Sequence, residues 1–74
     1  TMMDKSTIIS LILDALELET IDGSMMLDRI PEYDSMGILM IMEMFEQNGI
    51  DLIPEDFISL TIVSDLVSII HSKQ

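Results

Sequence analysis

The sequence predicts an all-α fold, a small four-helix bundle with three main helices, one short helix and a long first loop. Apolar residues recur at intervals of three and four over most of the chain, which is the period of helices that bury one face. β-Branched residues are abundant but never alternate with polar ones over a useful length, so no strand is predicted. The 74 residues are expected to form one domain, 1–74, around a single core.

The first helix is predicted from Ser6 onward, and either Asp4 or Ser6 can cap it. Its apolar stripe consists of Ile8, Ile9, Leu11, Ile12, Ala15 and Leu16. The stretch 19–34 has no sustained periodicity and contains Gly23 and Pro31, so it is predicted to be a long loop. Its apolar residues are expected to anchor it: Ile21, Met25, Met26, Leu27 and Ile30.

The second helix is predicted to begin at Asp34 or Ser35 and to run to Asn48. Asn48-Gly49 is a typical C-terminal stop, and Ile50 can complete a Schellman motif there. At 100° per residue, one side of this helix is expected to face the core. That side carries Ile38, Ile41, Met42 and Phe45.

Residues 53–57 are predicted to form the short third helix, with Pro54 in its first turn and two acidic residues that complement the helix dipole. Thr61 is then expected to cap the last helix. The apolar stripe of that helix consists of Ile62, Val63, Leu66, Val67, Ile69 and Ile70.

The charge balance restricts the classes of partner. Fourteen acidic side chains against three basic ones give a formal net charge of -11, while 49% of the residues are hydrophobic. The hydrophobic fraction is too high for a disordered acidic tail. Phosphate backbones need clustered lysine and arginine, so nucleic acid is not expected as a partner, and basic protein surfaces are the natural targets.

Several kinds of chemistry are disfavoured by composition. The chain has no cysteine and one histidine, His71, so disulfides, thiolate zinc sites and histidine metal sites are not expected. The longest apolar run, 36–42, is far shorter than the ~20 residues that cross a bilayer. No basic segment precedes an apolar stretch at the N-terminus, so no signal peptide is predicted and the expected location is the cytoplasm.

Ser35 is the most informative position. It stands at the start of a predicted helix, after a long loop, with Asp34 before it and Met36 after it. Taken alone, this pattern is typical of a helix cap. A helix N-terminus also offers unpaired backbone N–H groups and a partial positive charge, which favour a phosphate ester at Ser35.

The chain, including the segment around Ser35, resembles the acyl carrier proteins over nearly its whole length. The similarity rests on Asp34-Ser35-Met36, on Ile53-Pro54 before the short third helix and on Thr61-Ile62-Val63 at the fourth, together with the apolar spacing of helix two, which is Met36, Leu39, Ile41, Met42 and Phe45. The resemblance implies that Ser35 bears a covalent 4′-phosphopantetheine arm derived from coenzyme A, and that the protein itself performs no catalysis.

The resemblance also implies the partners. A phosphopantetheinyl transferase, with magnesium and coenzyme A, would attach the arm, whose thiol holds cargo as a thioester. An acyl- or aminoacyl-loading ligase or transferase would load the cargo, and a downstream synthase or acyltransferase would use it. The carrier is expected to be a monomer.

The similarity is closest to free-standing carriers that read Pro-Glu-(aromatic)-Asp-Ser-(Met/Leu)-Gly, as residues 31–37 do. It is less close to the fatty-acid-synthesis type, which usually reads Gly-Ala-Asp-Ser-Leu with an acid two residues after the serine. Here that position is Gly37. With a glycine two residues after the serine, the motif is also similar to that of carriers of D-alanine for cell-wall polymers. A specialised pathway is therefore expected, and the cargo class is left open.

Helix two is also the candidate docking face. Met36, Met40 and Met44 repeat every four residues on the side opposite the expected core face. Such a stripe is either core filler or an adaptable surface that repacks against partners. The candidate docking residues are Asp34, Met36, Met40, Glu43, Met44, Glu46 and Gln47.

The main alternative to a carrier is an unmodified methionine-rich helical interaction module, in which Ser35 is only a cap. A hydrolase that pairs Ser35 with His71 is disfavoured, because a histidine near a helix end is usually placed there by the dipole. The acids of 51–56 do not match a calcium-binding loop. Tyr33 either pins the loop to the core or helps the transferase to read the site.

Overall fold

The computed structural model describes residues 2–74, which form an all-α bundle, as predicted. Within these residues the only β pairing is an isolated bridge between Met26 and Ile62. The predicted short third helix is a single 3₁₀ turn. In chain order the elements are α1 (Lys5–Leu16), a first 3₁₀ helix (Leu27–Arg29), α2 (Ser35–Glu46), a second 3₁₀ helix (Pro54–Phe57) and α3 (Val63–Ser72).

Helix α1 begins and ends with well-defined hydrogen bonds. Of the two predicted caps, Asp4 is the one used, because its carboxylate accepts the Thr7 N–H at 2.8 Å. At the other end the Leu18 N–H donates to the Leu13 carbonyl, which closes a Schellman-type turn around Glu17. Glu17 has left-handed backbone angles, with φ of 57°. This conformation costs a residue other than glycine about 1–2 kcal/mol.

Helix α2 is bounded by the two signals predicted for it. The Asp34 carboxylate accepts the Gly37 N–H at 2.9 Å, so Asp34 is the N-cap and Ser35 is the first helical residue. At the C-terminus, Gly49 is left-handed with φ of 82°, and the Ile50 N–H donates to the Phe45 carbonyl at 2.9 Å. The Schellman motif is confirmed, although the regular helix ends two residues before Asn48.

Helix α3 starts differently from the prediction, which assigned the cap to Thr61. The residue before the helix is Ile62, and no side chain before the helix caps it. Instead the Asp65 carboxylate reaches back and accepts the N–H groups of Thr61 at 3.1 Å and Ile62 at 3.0 Å. The acid in the first turn thus replaces the hydroxyl cap, which is the reverse half of a capping box.

The start of the second 3₁₀ helix is stabilised in the same way, by an acidic side chain that accepts a backbone N–H group. The Asp56 carboxylate accepts the Ile53 N–H at 2.9 Å and forms an ion pair with Lys73 at 3.0 Å. This is the only ion pair within residues 2–74. It ties the turn to the C-terminal end of α3.

The core is one cluster to which all three helices contribute. The predicted stripes of α1 and α3 face it, with Ile9, Leu11 and Ile69 packed at its edge, while Ile62 is half-buried but is not packed against it. On α2, Ile41 and Phe45 are fully buried, whereas Ile38 and Met42 are half-buried. The largest fully buried side chains are Phe45, Ile8, Ile12, Ile41, Leu66, Ile70 and Val63.

The long first loop is anchored at fewer points than predicted. Leu27 and Ile30 are buried and Ile21 packs against the core, but Met25 and Met26 are exposed. The prediction was wrong for these two methionines because their segment is held by its backbone. The Met25 carbonyl accepts the Val63 N–H at 2.9 Å, and the flanking Met26 forms the isolated bridge to Ile62, the residue before α3.

The two ends of the described chain meet. The Gln74 side-chain amide accepts the Met3 N–H at 2.6 Å and donates to the Met3 carbonyl at 2.9 Å. The N-terminal segment and the end of α3 are therefore joined by a two-point hydrogen bond. No helix in residues 2–74 combines the length and the apolarity needed to cross a membrane.

Candidate functional site

Ser35 is exposed at the first position of α2. Because Asp34 takes the capping role, the Ser35 side chain is not needed to start the helix. The two residues therefore have different roles. The Asp34 carboxylate caps the helix, whereas Ser35 is exposed to solvent. The partial positive charge of a twelve-residue helix lies at the same end.

Ser35 borders an open groove of about 480 Å³ between α2 and the segment around the second 3₁₀ helix. Every other residue that lines this groove is apolar. Ile58, at its edge, is 80% exposed. The Ser35 groove is lined by Ser35, Ile38, Leu39, Met42, Pro54, Phe57 and Ile58.

Two residues of the predicted core face of α2 also line the Ser35 groove. Ile38 and Met42 are half-buried and form one wall of the groove, and Met42 also packs against the core, as the sequence predicts. Leu39 lies beside them and is 49% exposed. Exposed apolar side chains beside a serine, here Leu39 and Ile58, are typical of a surface that binds something.

Gly37, two residues after Ser35, determines how closely the loop before α2 packs on the helix. A Cβ atom at this position would overlap the backbone carbonyl oxygen of Glu32 and would stand 2.9 Å from Leu16 Cδ2. The missing side chain therefore lets the loop before α2 lie directly on the helix, beside the end of α1. An acidic residue, as the fatty-acid type of carrier usually has here, would not fit this packing.

The predicted docking residues divide into two groups. Asp34, Met36 and Met40 line a hollow of about 210 Å³ together with Glu17 and Glu32. The remaining members lie further along α2: Glu43, Glu46 and Gln47 are exposed, and Met44 is half-buried and packs against the core. The first turns of α2 therefore lie beside Glu17, which follows α1, and Glu32, which is in the loop. The later acids of α2, Glu43 and Glu46, do not line this hollow.

Sequence reasoning missed both sets of neighbours. Nothing local indicates that Phe57 and Ile58 face Ser35, since that depends on how the second 3₁₀ helix packs. No local pattern places Glu17 beside Met40, because the two residues are far apart in the sequence and their proximity depends on how α1 packs on α2. The signal that was available is the glycine at 37, a residue with poor helix propensity inside a helix, which usually marks close packing.

Tyr33 packs partly buried against the core, so the structure favours its role as an anchor of the loop. Its hydroxyl is buried and has no hydrogen-bond partner within residues 2–74. Burial raises the pKa of the phenol, so it stays neutral at physiological pH. Tyr33 also lines a hollow of about 380 Å³ with Met26 and Leu60.

The residues that line the Ser35 groove include no histidine and no acidic residue. His71 is in the last turn of α3 and does not line the groove. Among residues 2–74 no three acidic, histidine or cysteine side chains are grouped so that they could bind a metal ion.

Comparisons with protein-family models, with curated proteins and with solved structures found no match to this chain.

Proposed function

We propose that this chain is an acyl carrier protein whose Ser35 bears a 4′-phosphopantetheine arm. The observation that carries the proposal is the position of the Ser35 hydroxyl, exposed at the N-terminus of α2 and at the edge of an apolar groove. It is supported by the similarity of the sequence around Ser35 to that of free-standing carriers. Attached there, the arm supplies a thiol that holds cargo as a thioester.

The residues around Ser35 suit a phosphate ester. The helix dipole and the N–H groups of the first turn favour negative charge beside the hydroxyl. Asp34 is engaged with the Gly37 N–H, which keeps the first turn of α2 formed while the hydroxyl remains exposed. In the attachment reaction the Ser35 oxygen would form the new bond to phosphorus, adenosine 3′,5′-bisphosphate would leave coenzyme A, and a base of the transferase would take the hydroxyl proton.

The Ser35 groove supports an apolar cargo. Ile38, Leu39 and Phe57 offer an aliphatic and aromatic surface within reach of a flexible arm, and no charged side chain lines the groove. Burying acyl carbons there would be favourable by ~25 cal/mol for each Å² removed from water. Acyl groups therefore fit this carrier better than small charged aminoacyl groups do.

The test is modification in vitro. The unmodified protein is incubated with coenzyme A, magnesium and a phosphopantetheinyl transferase of broad specificity, and its intact mass is measured. The expected result is a gain of one phosphopantetheinyl group in the wild type and none in Ser35→Ala. Ser64→Ala is the matched control, because Ser64 is also an exposed serine in the first turn of a helix, and it should be modified like the wild type.

An unchanged mass of the wild type would overturn the proposal. It would favour the second candidate, an unmodified interaction module. That alternative is supported by the number of exposed methionines, which is unusual for side chains that normally fill cores. The exposed ones are Met2, Met25, Met26, Met36 and Met40.

A further inference from the structure

We infer that the ion pair between Lys73 and Asp56 holds one wall of the Ser35 groove in place, so that the end of α3 regulates how widely the groove opens. The wall consists of residues 54–58, which are the second 3₁₀ helix and the residue after it, and we call it the 3₁₀ wall. Lys73 itself does not line the groove. The inference goes beyond the proposed function, because it concerns the polypeptide whether or not Ser35 is modified.

The two walls of the groove are fixed to the core to different extents. The α2 wall belongs to a twelve-residue helix in which Ile41 and Phe45 are fully buried. The 3₁₀ wall contains no fully buried residue, and its one side chain packed against the core, Phe57, is half-buried. Its last backbone hydrogen bond, from the Ile58 N–H to the Glu55 carbonyl, is long at 3.4 Å. Few buried apolar contacts and exposed backbone hydrogen bonds are typical of segments that open locally.

The Asp56 carboxylate depends on both of its partners. Its side chain is only 11% exposed, although it belongs to this weakly packed turn. One oxygen, Oδ2, accepts the Ile53 N–H at 2.9 Å and lies 3.0 Å from Lys73 Nζ. A charged group with so little contact with water is unfavourable unless it is paired and hydrogen-bonded. Without the cation the carboxylate regains water by turning outward, and the turn moves with it.

The lysine end of the ion pair is the fixed end. The Lys73 N–H donates to the carbonyls of Ile69 and Ile70, both at 3.1 Å. Helix α3 is anchored by Leu66 and Ile70, which are fully buried, and Gln74 is hydrogen-bonded to the N-terminal segment at two points. A cation at the C-terminal end of a helix is also favoured by the helix dipole. The ion pair therefore joins a fixed point to a loosely packed wall, and the wall is the part that moves when the pair is broken.

Outward movement of the 3₁₀ wall would uncover side chains on the opposite side of the groove. Met42 is one of them, because it is half-buried and lines the groove together with Phe57. Met44 is half-buried as well and packs against the core, but it does not line the groove. The two thioethers therefore report separately on opening of the groove and on loosening of the whole domain.

The test measures how fast dilute hydrogen peroxide oxidises each methionine of the unmodified protein, followed by tandem mass spectrometry of its peptides. Peroxide transfers one oxygen atom to the thioether, which becomes a sulfoxide, and the peroxide is reduced to water. Lys73→Gln should speed the oxidation of Met42 by roughly threefold or more, and it should change the rate at Met44 by less than about 1.5-fold. Lys5→Gln, the same change in net charge at the start of α1, should leave both rates as in the wild type.

Two further variants identify the ion pair as the cause. Asp56→Asn should speed the oxidation of Met42 as Lys73→Gln does, and the double variant should add little, because either change alone breaks the pair. Lys73→Arg keeps the cation and should keep the slow rate of the wild type.

A Met42 rate in Lys73→Gln equal to that of the wild type would overturn the inference. Equal acceleration at Met42 and Met44 would overturn it as well, because the ion pair would then stabilise the whole domain and not the wall. Every measurement uses the unmodified chain, so a failure of phosphopantetheine attachment to Ser35 would leave the result standing.

Discussion

Gly37 shows how one missing side chain links the loop, α1 and α2. Without a Cβ, the helix lets the Glu32 carbonyl and Leu16 come close, and this packing places Glu32 beside Met36. Carriers of the fatty-acid type usually have an acid at this position, and the chain differs from them there. The structure instead gives the glycine a packing reason, and it places acids nearby from other segments.

Gly37→Ala should therefore destabilise the fold. Alanine gains about 1 kcal/mol of helix propensity, but overpacking against a backbone carbonyl costs typically 1–3 kcal/mol. The expected net loss is about 1–2 kcal/mol in the free energy of unfolding, measured by urea titration with circular dichroism. Met36→Ala, one residue earlier and exposed, should change it by less than about 0.5 kcal/mol. A Gly37→Ala protein as stable as the wild type would show that the loop does not pack on α2.

At the scale of elements, aspartates organise the helix starts. Asp4, Asp56 and Asp65 each accept backbone N–H groups from residues at or near the start of a helix. These hydrogen bonds are the main reason that the pKa of each carboxyl lies below its ordinary value, with Lys73 adding to the effect at Asp56. A lowered pKa means that the unfolded chain binds protons more readily than the folded one. The stabilisation is full above the ordinary value of 3.8 and is lost as pH falls through the lower folded value.

Asp65→Asn tests this at α3. The variant should be less stable than the wild type at neutral pH, because the carboxylate accepts two N–H groups. The difference in the free energy of unfolding should then narrow as the pH falls below the ordinary value of 3.8, because the wild-type carboxyl begins to take up a proton as well. Ser68→Ala, an exposed change in the same helix, should show a difference from wild type that does not vary with pH. A gap for Asp65→Asn that stays constant or widens towards low pH would contradict the assignment.

The elements also show what could be predicted from sequence. Helices α1, α2 and α3 follow from a local period, and Asp4 and Gly49 follow from local backbone chemistry, so they were predictable. The start of α3 was not, because a first-turn acid and a hydroxyl compete for one role and geometry decides between them. The Ser35 groove and the hollow that Glu17 shares with Met36 and Met40 depend on packing between distant segments, which no local pattern specifies.

At the scale of the whole molecule, the net charge of -11 acts on a small body. The longest dimension is 32 Å, and only one of the three basic side chains is in an ion pair within residues 2–74. At about 0.01 M ionic strength the screening length is about 30 Å, so nearly all the acids repel one another. At about 0.15 M it is about 8 Å, and only neighbours interact. Self-repulsion of this kind opposes the compact state.

The thermal midpoint at neutral pH should therefore rise with salt. Between about 0.01 M and 0.3 M sodium chloride we expect a rise of roughly 3–8 °C, equivalent to on the order of 1 kcal/mol. The same titration near the isoelectric point of about 4.1 is the control, since the net charge is close to zero there and the effect should nearly vanish. A midpoint that falls with salt at neutral pH would mean that attractive ion pairs outweigh the repulsion.

The two-point hydrogen bond between Gln74 and Met3 makes the described polypeptide nearly a closed ring. A short peptide joining its ends would need little reach, and new ends opened in the exposed stretch around Glu19 and Thr20 would interrupt no helix. Such a circular permutant would keep the Ser35 groove intact, because neither the new opening nor the joining peptide lies in the elements that form the groove. For the same reason, domains fused at either end would emerge side by side, from a point held by α1 and α3.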